Sequence, residues 1–74
     1  MRESTIQVRG RVIARLRDTF FRVAVSDQDT IIARISGKMQ NANIKVIAGD
    51  DVIVEMTPYD LTRGRIVYRY RLGL

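Results

Sequence analysis

Alternation with a period of two runs through most of this chain. Between Val8 and Arg17, the residues Val8, Gly10, Val12, Ala14 and Leu16 fall on one face and Arg9, Arg11, Arg15 and Arg17 on the other, broken only by Ile13. A half-buried strand produces that pattern, because successive side chains of an extended backbone point to opposite sides. Asp18-Thr19 supplies a turn, after which Phe21, Val23 and Val25 alternate with Phe20, Arg22 and Ala24 as a second strand. Ser26-Asp27-Gln28-Asp29 is a polar loop, and Ile31, Ala33 and Ile35 against Ile32 and Arg34 make the third strand. The fourth follows the turn Ala48-Gly49-Asp50 and sets Val52, Val54 and Met56 against Ile53 and Glu55. The only proline, Pro58, lacks the N–H that a ladder needs and ends this strand. Tyr59 to Gly64 reads as a hairpin loop, and Arg65 to Arg71 as strand five.

The alternation fails from Ser36-Gly37 to Lys45, where Met39, Ala42 and Val46 recur at i, i+3 and i+7, the spacing of a short helical turn. Five strands with one helical connection predict an all-β fold, a five-stranded OB-fold Greek-key barrel with a short helix between strands 3 and 4. The chain of 74 residues has room for one domain spanning 1–74, with loose termini expected at about 1–4 and 72–74. Closing the sheet on itself gives so short a chain a single core with few exposed edges.

Charge narrows the function. Eleven Arg and two Lys stand against eight acidic residues, a net charge of +5. Residues 1–25 sum to +4, residues 26–60 to −3 and residues 61–74 to +4. If the two ends meet in the fold they form one basic surface, which suits a polyanionic partner. Cysteine and histidine are both absent. Their absence removes disulfides, thiolate nucleophiles, the usual zinc ligands and the commonest general base, so no catalytic residue, metal ligand, cofactor or enzymatic activity is expected. The amino-terminal residues lack the apolar core of a secretory signal, and no apolar run approaches the ~18 residues of a membrane span. The expectation is a soluble intracellular protein with no membrane partner.

Several local features are structural on inspection. Gly37-Lys38-Met39 resembles the end of a phosphate-binding loop but lacks the preceding glycine and the following Ser or Thr. Asp27/Asp29 and Asp50/Asp51 fall in turns, where Asp hydrogen-bonds the local backbone. The arginines are different. Arg63, Arg65, Arg69 and Arg71 share one parity with Val67, opposite Gly64, Ile66, Tyr68, Tyr70 and Leu72. Same-face residues of a strand lie about 6.7 Å apart, comparable to phosphate spacing along an extended nucleic-acid chain. The plain alternative is a solvated arginine face, against which stands the lack of any acidic residue after Asp60. OB-folds commonly bind oligonucleotides on the outer face of strands two and three. There the pattern places Phe20, Arg22, Ile32 and Arg34, flanked by Arg17 and by Tyr59 to Arg63. Phe20 either stacks on a base or, the simpler role, packs over the barrel's end.

Three blocks carry a family resemblance: Ile35-Ser36-Gly37-Lys38-Met39; Ala48-Gly49-Asp50 with Val52 and Val54-Glu55; and Thr57-Pro58-Tyr59-Asp60-Leu61-Thr62-Arg63-Gly64-Arg65-Ile66-Val67. In this order, from about Val8 to Arg71, the chain closely resembles bacterial and organellar translation initiation factor one. The resemblance implies a single OB-fold that binds the small ribosomal subunit at its decoding (A) site, contacting ribosomal RNA and a neighbouring ribosomal protein. It implies that the factor occupies the place of a tRNA, assists the other two initiation factors, is a monomer off the ribosome, and works in the cytoplasm or in an organelle's stroma or matrix. By position it assigns RNA contact to Arg34, Lys38, Lys45, Arg63, Arg65, Arg69 and Arg71, to which the strand-two reading adds Arg22. Alanine at Arg65 or Arg69 is then expected to weaken binding and spare the fold. The chain departs from its relatives at Gln40-Asn41-Ala42-Asn43, where two basic residues and an aromatic are usual, and in the extra strand-one arginines. Two other function classes remain: a general single-strand RNA chaperone of the cold-shock type, which displays outward aromatics on strands two and three, and a protein-only adaptor.

Overall fold

The computed structural model describes residues 5–70. The expected loose ends at 1–4 and 72–74, and Arg71, lie outside the described residues. Five strands, β1 (Ile6–Arg17), β2 (Phe20–Ala24), β3 (Thr30–Ile35), β4 (Asp51–Thr57) and β5 (Asp60–Tyr70), and one helix, α1 (Gly37–Asn41), follow in the order β1-β2-β3-α1-β4-β5. The sheet closes into a barrel with neighbours β1-β2-β3-β5-β4, and β4 pairs back onto β1. All pairings are antiparallel except β3 with β5. This is the OB-fold expected from the alternation, with the short helix between β3 and β4.

The inner surface is filled by the apolar parity of each strand. Val12, Phe21, Val23, Ile31, Ala33, Ile35, Val52, Val54, Met56 and Ile66 are buried, joined by Met39 of α1 and Val46 beyond it. Gly10 shows how tightly the wall closes: a Cβ there would lie 2.7 Å from both the Ala24 carbonyl oxygen and Val23 Cγ1. Only a residue without a side chain lets β1 cross at that point.

Simple alternation fails where long strands must curve. β1 pairs with β4 through Ile6–Arg11 and with β2 through Arg11–Arg17, so it wraps from one side of the barrel to the other. Its register with β2 slips between Val12 and Ala14 and again between Arg15 and Arg17. Each extra residue, Ile13 and Leu16, is half exposed. A bulge adds bend and twist, which a small barrel requires, and it reverses the facing of every later residue. Ala14 therefore pairs with outward Arg22 and Arg15 with inward Phe21. The expectation that Arg15 shares a face with Arg9 and Arg11, and that Ala14 and Leu16 join the core face, is overturned by these two slips.

β5 behaves alike. Val54 pairs with Ile66 and Ile53 with Tyr68, which leaves Val67 as an extra residue. Tyr68 is consequently exposed beside Ile53, while Arg69 stands opposite buried Val52. The placing of Arg69 on the face of Arg63 and Arg65 is thus corrected. Tyr59–Gly64 is likewise not a loop: Thr57 pairs with Asp60 around a two-residue turn, Pro58-Tyr59, and Leu61 to Gly64 are already in β5. Leu61, Thr62 and Arg63 are all exposed, so no apolar alternation marks this part of the strand.

α1 begins at Ser36, whose hydroxyl accepts a hydrogen bond from Met39 N at 3.3 Å, and it buries Met39 alone. It ends at Asn41, so of the three residues at helical spacing Met39 and Val46 are buried and Ala42 is exposed. Asn43 adopts φ 57°, Asn43 N donates to the Gln40 carbonyl and Ile44 N to the Met39 carbonyl, both at 3.0 Å. This paired closure with a left-handed residue is a helix-stop motif in which Asn substitutes for glycine. The uncharged Gln40–Asn43 segment therefore has a structural role, because it stops the helix and turns the chain so that Val46 caps the core.

Candidate nucleic-acid interface

The outward parity of β2, β3 and β5 makes one continuous wall. Along one row the ladder runs Arg17–Phe20–Arg34–Arg65, and along the next Ala14–Arg22–Ile32–Arg63. Neighbours in a row are one strand spacing apart, about 4.8 Å. Four of the expected residues, Arg22, Arg34, Arg63 and Arg65, are thereby brought together, with Arg17 at the margin. Parallel pairing of β3 with β5 does this; residues some thirty positions apart become neighbours. Lys38, at the start of α1, lines a shallow depression together with Ser36, Gly37, Arg65 and Val67, which extends the basic wall past the end of β3.

Phe20 is an outward residue, 37% exposed, with the Arg34 guanidinium carbon 5.9 Å from its ring centroid. It lies on the wall and not over the barrel's end. Ile32 beside it is 38% exposed. An apolar pair surrounded by guanidinium groups offers a base both a stacking surface and nearby charge for its phosphate.

The cations of this wall fall into two groups. Arg22, Arg34 and Lys38 have no ion pair among the described residues. Arg65 Nη2 instead donates to Glu55 Oε1 at 2.8 Å, and Arg63 Nε approaches Asp60 Oδ2 at 4.0 Å. Both pairs are solvent-exposed on the arginine side, a setting in which an ion pair adds little to the stability of the fold. The hydrogen bond from Arg65, assisted by one from Gln7, holds the Glu55 carboxyl below the usual carboxylate range. Thr62 does the same for Asp60 through its hydroxyl and backbone N–H.

Lys45 and Arg69 lie at one end of the barrel. Lys45 is exposed and lines an apolar hollow with Arg15, Phe21, Ile35, Ile44, Val46 and Ile47. The Arg69 guanidinium crosses this end and donates to the Lys45 carbonyl. Arg71 lies outside the described residues. On the opposite wall, Arg9 and Arg11 converge on Asp51 at 3.2 and 3.1 Å, and the Arg9 guanidinium also covers the Tyr70 ring at 4.2 Å. Bonds from Arg11 and Arg9 hold the Asp51 carboxyl below its ordinary range. Two strand-one arginines therefore share one carboxylate away from the wall, a third sits at the barrel end, and only Arg17 borders it. Of the Asp50/Asp51 pair expected in a turn, Asp50 does accept from Ile47 N, but Asp51 serves these arginines. Sequence reasoning misses Glu55 as the partner of Arg65, and the outward parity of β4 is the signal that it is available.

A family profile for translation initiation factor 1A / IF-1 matches residues 1–73. The chain belongs to this family. This IF-1 family member is also similar to a solved structure, the solution structure of translation initiation factor one from Wolbachia endosymbiont strain TRS of Brugia malayi. The identity is 39%, over 90% of this chain and 79% of that one, with a TM-score of 0.75. The resemblance read from the three sequence blocks is confirmed, and the chain is a translation initiation factor whose partner is the translation apparatus. Among the described residues of this IF-1 barrel, no helix is long and apolar enough to cross a membrane.

Proposed function

We propose that this factor binds the small ribosomal subunit at the decoding (A) site, with the β2–β3–β5 wall against ribosomal RNA, and there blocks tRNA and assists the other two initiation factors. The observation that carries the reading is the single basic wall on which Arg22, Arg34, Arg63 and Arg65 meet, continued by Lys38. Lys45 contacts RNA from the barrel end, with its backbone held by Arg69, and a neighbouring ribosomal protein completes the site. A closed barrel with one tight core is a rigid plug, so the mechanism is steric exclusion with phosphate neutralisation and involves no bond chemistry.

Sedimentation with purified small subunits at several salt concentrations tests this. About five phosphate contacts give log affinity a slope of roughly −3 to −4 against log salt. Bound factor should also exclude tRNA from the A site, and its retention should rise when the other initiation factors are added. Salt-independent binding, or simultaneous occupancy with A-site tRNA, refutes the proposal. Phe20 is the only aromatic on the outer faces of β2 and β3, which disfavours the cold-shock reading. Free oligonucleotides bound as tightly as subunits would restore it, and a principal complex that survives RNase would favour the protein-only adaptor.

A further inference from the structure

We infer that Glu55 is a specificity-determining residue of the basic wall, which makes Arg65 selective for phosphates held at a fixed place on a folded RNA and unfavourable to flexible single strands. The inference rests on the reading of that wall as an RNA-binding face.

Glu55 and Arg65 are cross-strand partners in the β4–β5 ladder. The carboxylate is the recessed half of the pair: its side chain is 20% exposed against 60% for Arg65. It is held from two sides, since Oε1 accepts from Arg65 Nη2 at 2.8 Å and Oε2 from Gln7 Nε2 at 3.4 Å. A guanidinium is planar and presents its donors in a rigid fork. Anchoring one Nη to a fixed carboxylate therefore fixes where the remaining donors point. A phosphate that arrives along that free edge gains a charge-assisted bond. One that arrives elsewhere meets the Glu55 charge, well within the screening length of about 8 Å at physiological salt. Arg22 and Arg34 have no carboxylate partner among the described residues and accept a phosphate from many directions. A flexible strand settles on those two and leaves Arg65 with Glu55; a rigid RNA surface of matching shape engages all three. Discrimination then comes from an element that repels the wrong partner as well as one that attracts the right one.

Affinities of the unsubstituted protein, Glu55→Gln, Arg65→Ala and the double variant are to be measured for poly-uridine RNA and for purified small subunits across a salt series. Glu55→Gln is expected to bind poly-uridine about two- to fivefold more tightly, the size of an exposed ion pair. Its salt slope should steepen by about 0.7, one further phosphate on a single strand. Subunit binding should not tighten, so the preference for subunits falls. With Arg65→Ala in place, Glu55→Gln should bring no gain. An equal gain in that background means bulk charge alone and overturns the inference, as does a change of the same factor for both ligands. Arg65→Lys is a second route that leaves Glu55 intact: it keeps the charge and loses the fork, so subunit binding should weaken while poly-uridine binding holds. Equal effects on both ligands overturn the inference by that route. Absence of subunit binding by the unsubstituted protein would sink the proposed function itself, whereas an unchanged preference with intact subunit binding sinks only the role of Glu55.

Discussion

Arg69→Ala separates what the β5 bulge dictates from what simple alternation predicts. Beyond Val67 the strand has gained one residue relative to β4, so Arg69 stands opposite Val52 and its guanidinium reaches the Lys45 carbonyl at the barrel end. The substitution removes a charge-assisted hydrogen bond that ties β5 to the segment between α1 and β4. Bonds of that class contribute about 1.5–3 kcal/mol. Lys45 is exposed, so water resolvates its carbonyl, and the expected loss is about 1–2 kcal/mol. For a domain of this length the melting temperature moves by about 4–8 °C per kcal/mol, which puts the fall at about 4–16 °C. Circular dichroism melts of Arg69→Ala and Arg65→Ala, with subunit binding measured in parallel over a salt series, supply the comparison. Arg65→Ala should melt close to the unsubstituted protein, since its pair with Glu55 is exposed, and should lower the salt slope of binding by about 0.7–0.9. Should Arg69→Ala melt unchanged while losing as much affinity and slope as Arg65→Ala, the bulge does not direct this side chain as described.

Three further outcomes are expected from the same geometry. Arg34→Ala removes a guanidinium at the centre of the wall that has no carboxylate partner among the described residues; it should weaken subunit binding about ten- to a hundredfold and reduce the salt slope by about 0.7–0.9, without moving the melt. Val54→Ala or Ile66→Ala empties a position of 0% exposure and should cost about 2–4 kcal/mol by denaturant midpoint, a large share of the roughly 4–11 kcal/mol available to a chain this short. Asp51, Glu55 and Asp60 have folded-state pKa values below their unfolded ones, so their contribution is present above the unfolded values and is lost as pH falls through the folded ones. The melting temperature should therefore drop progressively below about pH 4.5, and less steeply in Arg65→Ala, which has already lost the Glu55 pair; a flat acid profile would show that these pairs add nothing to stability.

Most of the barrel is legible in the chain because burial of one strand face forces a period of two. Val23, Ile31, Ala33, Val52, Val54 and Ile66 all lie where alternation puts them. The wall residues Arg22 and Arg34 are legible for the same reason, being the outward halves of short, regular strands. Misreadings cluster at Ile13, Leu16 and Val67, where an inserted residue reverses the facing of its successors. A bulge leaves little trace in composition, since each inserted residue is apolar, as the core-facing residues of the same strand are.

By itself the sequence determined the strand count, the helical connection, the basic excess, the absence of histidine and cysteine, and a family likeness carried by three ordered blocks. These are local or additive properties of the chain. Only the tertiary structure decided which arginines share a surface, which are paired with Asp51, Glu55 or Asp60, and which turn to the barrel end. Facing depends on cumulative register around a closed sheet, and charge pairing depends on which strands that closure makes adjacent, so neither can be read from one segment at a time.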